Sequence, residues 1–173
     1  HTRYISVTGV QTCALPIYNL RAVREAVAGV LDAAALHAPA ARVDGVLVQE
    51  MASGVECIAG AVADPHFGPY VLLGLGGVFA EVLRDTVRRF APVSHGEARA
   101  MIAELRGIAL LQGYRGTPAC DLDALADALV RLSWLITDHG DRIAEVDVNP
   151  LIAGPDGTVA ADALVVLREG VPG

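Results

Sequence analysis

Near its C-terminal end the chain reads Glu145-Val146-Asp147-Val148-Asn149-Pro150-Leu151, and Asp162 follows the turn sequence Gly154-Pro155-Asp156-Gly157. In an extended strand successive side chains alternate between faces. Glu145, Asp147 and Asn149 then project one way, while Val146, Val148 and Leu151 can fill a core. The turn reverses the chain, and Thr158 to Val166 is expected to return as one partner strand bearing Asp162. Such a hairpin brings Asn149 and Asp162 within reach of one ion. Two oxygen ligands suit Mg2+, which keeps several waters and completes its shell with phosphate oxygens. The chemistry favoured is the handling of a magnesium-bound nucleotide. An exposed acidic strand face beside a proline-containing turn explains the same residues without any ligand, so the rest of the chain must decide.

The elements that would position these groups follow from periodicity. Leu20, Val23, Val27, Val30 or Leu31, and Ala34 recur at helical steps, which predicts an amphipathic helix from Leu20 to about Leu36, ended near Pro39. Val46 to Met51 reads as a strand and Val55 to Ala63 as a second. Asp64 to Pro69 is dense in turn formers and should close a hairpin into Tyr70-Val71-Leu72-Leu73. Gly74-Leu75-Gly76-Gly77 interrupts the apolar run, and Val78 to Phe90 is expected to be extended again. Ser94 and Glu97 have capping-box spacing, which starts a helix over Ala98 to Leu105. Gly107 to Pro118 is read as a glycine-rich connection. Asp121 can cap a further helix carrying Leu122, Leu125, Leu129, Leu132 and Ile136. Hairpins outnumber strand-helix alternations, so the expected class is α+β, a mostly antiparallel sheet with helices packed on it.

Composition narrows the partners. Thirteen basic and twenty acidic residues give a formal charge of −7, which disfavours nucleic acid or an anionic membrane surface. All the basic residues are arginine. Although 53% of residues are apolar, no uninterrupted run reaches the roughly 18 needed to span a membrane. Cys57 and Cys120 lack metal or redox spacing, as expected of plain thiols in a reducing cytoplasm. His37, His66, His95 and His139 fall at helix ends or in a turn and in no recognisable catalytic motif. The chain begins at His1, and Val7 to Ile17 resembles the translation of a sequencing-library adapter. Residues 1–19 are therefore expected to be an artefactual or disordered leader, ahead of a domain over 20–170.

Four segments together carry a family resemblance: Val46 to Met51, Gly74 to Val82, Gly113-Tyr114-Arg115-Gly116 and Glu145 to Leu151. In this order they resemble the ATP-grasp portion of ADP-forming acyl-CoA synthetases, similar in plan to the beta chain of succinyl-CoA synthetase. The resemblance covers most of the chain after Leu20 and implies the second ATP-grasp subdomain. It implies a reversible reaction in which acid, CoA and ATP give acyl-CoA, ADP and phosphate through a phosphohistidine. ATP or ADP and Mg2+ are the implied cofactors. The implied partners are a CoA-binding, phosphohistidine-bearing domain or subunit and the carboxylic acid and CoA substrates.

By the same resemblance Asn149 and Asp162 hold magnesium, and Asp147 faces the phosphohistidine. Gln49, Glu50 and Met51 meet adenine, and Glu56 reaches the ribose. On their own chemistry Gly76 and Gly77 either let main-chain amides approach phosphate or keep a tight turn, Arg115 is either a phosphate-binding fork or a surface loop residue, and Glu81 and Arg84 are either polar residues of the cleft or an exposed ion pair. The chain departs from the family pattern in having no lysine and no first subdomain. Weak nucleotide binding and no turnover are expected of it alone. The competing reading is a regulatory nucleotide-binding module of a multidomain protein acetyltransferase.

Overall fold

The computed structural model describes residues 3–6, 17, 19–77 and 85–168. The chain divides into two compact units, His1–Ala52 and Ser53–Gly173, and each is described by itself.

In the first unit strand β1 (Arg3–Ser6), within the leader range, pairs antiparallel with β2 (Leu47–Glu50). Helix α1 (Leu20–His37) lies between them in sequence. The Asn19 side chain caps it by accepting from the Ala22 N–H at 2.9 Å, and Val30 and Ala34 are buried together with Ile17.

The second unit is a sheet with helices on one face. Its strands are β3 (Val55–Asp64), β4 (Gly68–Leu75), β5 (Thr86–Phe90), β6 (Ile143–Gly154), β7 (Gly157–Ala160) and β8 (Ala163–Leu167). The order is β5-β4-β3-β6-β7, with β8 also on β6, and every pairing is antiparallel. The turn joining β3 to β4 is held by Asp64, whose carboxylate accepts from the Phe67 and His66 N–H groups at 2.9 and 2.7 Å. Those amides hold its carboxyl below the usual range. Only the Thr86–Phe90 part of the stretch expected to be extended is described, as β5; Glu81 and Arg84 lie outside the described residues.

Helix α2 (His95–Glu104) opens with the expected capping box, Ser94 and Glu97 each bonding the other's main chain. Helix α4 (Leu122–His139) is capped by Asp121, which accepts from the N–H groups of Asp123 and Ala124. The glycine-rich connection is not all loop: Ile108–Leu111 forms a short helix, α3, with Leu111 buried. Leu125, Leu129 and Ile136 of α4 and Met101 and Ile102 of α2 pack on Cys57, Ala59, Ala61, Val71, Leu73, Val146 and Leu151 of the sheet. Inside, Ser133 accepts from the Val93 N–H at 3.1 Å and donates to the Val130 carbonyl at 2.7 Å. Arg168 donates to the carbonyls of Gly140 and Ala63, tying the end of β8 to the ends of α4 and β3.

Strand β6 does not keep one alternation along its length. Val146 and Val148 face the helices, and so do Leu151 and Ala153, which are out of phase with them. The shift occurs at a bulge: Val148 lies opposite Ala59 and Leu151 opposite Cys57, so one extra residue of β6 is accommodated around the cis Asn149–Pro150 bond. The returning strand expected over Thr158 to Val166 is correspondingly broken into β7 and β8 at Ala161 and Asp162. All five residues of β8 are exposed, and among the described residues nothing pairs with its outer edge.

Candidate functional site

The face of the sheet away from the helices carries Glu56 and Asp147 of the expected residues. Because the paired strands share faces, the register reads as rows across the sheet. Glu56 pairs with Ile152; Asp147 with Gly60, Gly60 with Leu72, and Leu72 with Arg88. The next row runs Glu145, Val62, Tyr70, Phe90. Successive rows lie about 7 Å apart along the strands. Glu145 and Asp147 alternate with Val146 and Val148, so they stand on this open face.

Asn149 and Asp162 are neighbours. The Asn149 N–H donates to the Asp162 carbonyl at 3.2 Å, and the Ala161 N–H donates to that of Pro150 at 3.0 Å. These bonds join the bulge of β6 to the break between β7 and β8, and both side chains are exposed. One Asp162 carboxylate oxygen accepts from the Ala163 N–H at 2.8 Å, which orients the group. Among the described residues no three His, Cys, Asp or Glu side chains form a metal cluster. The main-chain bond brings an exposed carboxamide residue and an exposed carboxylate residue to neighbouring positions, and oxygen donors of these kinds suit Mg2+, which takes few protein oxygens.

Glu56 and the Gly76-Gly77 turn are in contact. The Gly76 N–H donates to the Glu56 carbonyl at 2.7 Å, and a Cβ on Gly76 would lie 3.1 Å from that carbonyl. Gly77 has φ 60°, and a Cβ there would lie 3.0 Å from Glu56 Oε2. These glycines are required by the close approach of Glu56 and by a left-handed turn. Gln49, Glu50 and Met51 belong to the first unit, Glu50 exposed and Met51 half-buried. Arg115 has φ 51° in an exposed loop, its guanidinium 5.3 Å from the Tyr114 ring centre. No described contact brings it to Asp147, Asn149 or Asp162.

Several residues that shape this region carried little signal in the sequence. Gly60 lets Leu72 lie across β3 toward Asp147: a Cβ would meet Leu72 Cγ at 3.1 Å and Cδ2 at 3.2 Å. Gly54 admits the Ala153 carbonyl at the start of β3. Asp85, buried just before β5, accepts from the Gly107 N–H at 2.9 Å. A glycine inside or beside a strand was the available clue to the first two. On the helix side Cys57 is buried and Cys120 nearly so; burial, and then the proximity of Cys120, pushes the Cys57 thiol up to about 12.

This architecture and these motifs agree with comparisons to known proteins. A family model described as the ATP-grasp domain matches residues 5–167. The chain is 43% identical over 134 residues to acetate–CoA ligase [ADP-forming] I of Archaeoglobus fulgidus, covering 77% of this chain and 19% of that protein. It is 38% identical over 152 residues to the beta subunit of acetate–CoA ligase [ADP-forming] I of Pyrococcus furiosus, covering 87% and 65%. The chain thus spans under a fifth of the first relative and just under two thirds of the second. Among solved structures it is similar to the dinucleotide-forming acetyl-coenzyme A synthetase 1 of Ca. Korarchaeum cryptofilum, in complex with coenzyme A, acetyl-coenzyme A and a phosphorylated phosphohistidine segment. That likeness has a TM-score of 0.85 at 38% identity and covers 97% of this chain and 76% of that one. A match over nearly the whole chain, an antiparallel sheet with helices on one face and the residue motifs together establish that the chain belongs to the ATP-grasp domain family.

Proposed function

We propose that this chain is the nucleotide- and magnesium-binding part of a cytoplasmic ADP-forming acyl-CoA synthetase, which joins a carboxylic acid to CoA at the expense of ATP through a phosphohistidine. One observation carries the reading. Glu56, Asn149 with Asp162 bonded beside it, and Asp147 follow one another along paired strands β3 and β6 of one unit, the order in which a ribose, a magnesium-bound phosphate chain and a phosphoryl acceptor would meet them. The relatives carry names with this activity and the similar structure carries CoA and a phosphohistidine segment, which supports the same conclusion.

In this reading Asn149 and Asp162 hold Mg2+, and bound Mg2+ supplies neutralising charge to the phosphates. Asp147 accepts a hydrogen bond from one imidazole nitrogen of the partner's histidine. The other nitrogen is thereby held in the tautomer that takes or gives the phosphoryl group. Toward ADP the phosphorus–nitrogen bond breaks as a bond to the terminal phosphate oxygen of ADP forms; toward ATP cleavage the reverse occurs. Glu56 meets the ribose, and Gly76 and Gly77 leave space for the nucleotide beside it. Arg115 is assigned to phosphate, and Gln49, Glu50 and Met51 to adenine, on the family resemblance.

The test uses the full-length protein with its phosphohistidine-bearing partner and radiolabelled ATP. Asp147→Ala is expected to lower histidine labelling by 100-fold or more while nucleotide affinity stays within a factor of three. Unaltered labelling would remove Asp147 from the reaction. Asn149→Ala with Asp162→Ala is expected to abolish the magnesium dependence of nucleotide binding.

A further inference from the structure

A cavity of about 420 Å³ opens on the helix side of the second unit, where β3 begins and β6 ends, walled by Val55, Leu110, Tyr114, Pro118, Cys120 and Pro155. It is separate from the residues assigned to the nucleotide: Val55 and its partner Ala153 pack against the helices, while the adjoining Glu56 stands on the opposite face. The size falls within the roughly 300–1,000 Å³ of small-molecule pockets. No charged side chain lines it. Its walls are tied together: the Cys120 N–H donates to the Leu111 carbonyl at 2.8 Å, the Cys120 thiol to that of Ala153 at 3.1 Å, and the Asp121 N–H to that of Gly154 at 2.8 Å. The loop that carries Tyr114 is equally fixed. Thr117 Oγ1 accepts from the Tyr114 N–H at 3.1 Å and donates to the Tyr114 carbonyl at 2.7 Å, and Gly113, Arg115 and Gly116 take left-handed φ values of 91°, 51° and 88°. An arginine is seldom held in that conformation. Its guanidinium lies over the Tyr114 ring, 5.3 Å from the centre, and among the described residues no carboxylate pairs with it. Of the carboxylates next to lining residues in sequence, Asp121 caps α4, Glu56 stands on the other face, and Asp156 is exposed in the β6–β7 turn with no ion pair to Arg115.

We infer that this cavity is a second ligand site, for a small monocarboxylic acid whose apolar or aromatic body lies against Tyr114 and whose carboxylate meets Arg115. Walls of aliphatic side chains, prolines and one ring reject a highly charged body, while the unpaired cation on that ring selects an anionic head. A guanidinium fork takes carboxylate and phosphate alike. The single charge decides, because the lining offers a phosphate dianion no second cation. The proposed function gives Arg115 to phosphate, and the experiment separates the two anions. An acid of this kind is of the class that the proposed reaction consumes. The choice of class rests in part on that reading, whereas the cavity and its cation do not.

The experiment uses the full chain with phenylacetate as the probe, without nucleotide or Mg2+. Cys120 reports occupancy from within the lining: burial raises its thiol, so it is labelled at alkaline pH with methyl methanethiosulfonate and located by peptide mass spectrometry. Saturating phenylacetate is expected to slow Cys120 labelling at least tenfold, with half the effect at roughly 0.1–1 mM, the range for a ligand of about ten heavy atoms. Arg115→Gln should raise that concentration at least tenfold at an unchanged melting temperature, and Arg115→Lys should recover most of the loss. Absence of protection overturns the inference, and so does an unchanged half-effect in Arg115→Gln. Equal protection by 2-phenylethanol, which has the same body without the charge, or by inorganic phosphate overturns it as well. Failure of the proposed function shows elsewhere: Asn149→Ala with Asp162→Ala would leave magnesium-dependent ADP binding intact while phenylacetate still protects Cys120.

Discussion

Gly54 is the position where a single methyl group should do most damage. At the entry to β3, a Cβ on residue 54 would lie 2.2 Å from the Ala153 carbonyl oxygen, 2.7 Å from its carbon and 3.0 Å from the Gly154 nitrogen. These are main-chain atoms of β6, which cannot rotate away as a side-chain tip can. Relief requires the start of β3 to move outward by about 1 Å. Overpacking of this kind costs about 1–3 kcal/mol. Lifting Val55 from its partner Ala153 weakens one or two main-chain hydrogen bonds at about 1 kcal/mol each. Gly54→Ala should therefore destabilise the second unit by about 2–4 kcal/mol, and at about 2–4 °C per kcal/mol lower its melting temperature by roughly 4–16 °C. The chain has one tryptophan, Trp134, and it lies in α4, so fluorescence-detected unfolding in urea reports this unit. Gly45→Ala is the control, since nothing lies within 4 Å of a Cβ there, and its effect should stay within about 0.5 kcal/mol. A Gly54→Ala midpoint equal to that of wild type would refute the close approach of β3 and β6.

Ser133→Ala should cost about 1–3 kcal/mol by the same fluorescence assay, because the buried Val93 N–H loses its acceptor. In a Cys13→Ser background, Cys57 should resist a thiol reagent at pH 8 in the native state and react fully in urea. Its thiol pKa is raised by folding, so the contribution of the protonated thiol to stability is complete below its ordinary value of 9.0. That contribution is lost as pH rises from there toward about 12, and a Cys57→Ala variant should show a shallower alkaline decline.

What could be read in advance was what depends on near neighbours in sequence. The two helix starts at Ser94 and Asp121 rest on side chains bonding main chain two or three residues on, and the leucine spacing of α4 states its buried face directly. The β6 hairpin was legible from its Gly157 turn, and with it the adjacency of Asn149 and Asp162. The phase change of β6 was not, because Asn149-Pro150 gives no local cue to which residue becomes the extra one. Short α3 hid in a glycine-rich stretch too brief for periodicity to show. The shared row of Asp147, Gly60, Leu72 and Arg88 depends on pairings between distant segments, which no single-sequence pattern encodes.

Strand β8 bears on how such a segment can be handled in the laboratory. Natural sheet margins discourage stray pairing with lysine, proline or a kink, yet Ala163 to Leu167 has none of these, and among the described residues nothing pairs along its outer side. This chain should self-associate through that strand at roughly millimolar concentration, and Val165→Asp or Val165→Lys should keep it monomeric.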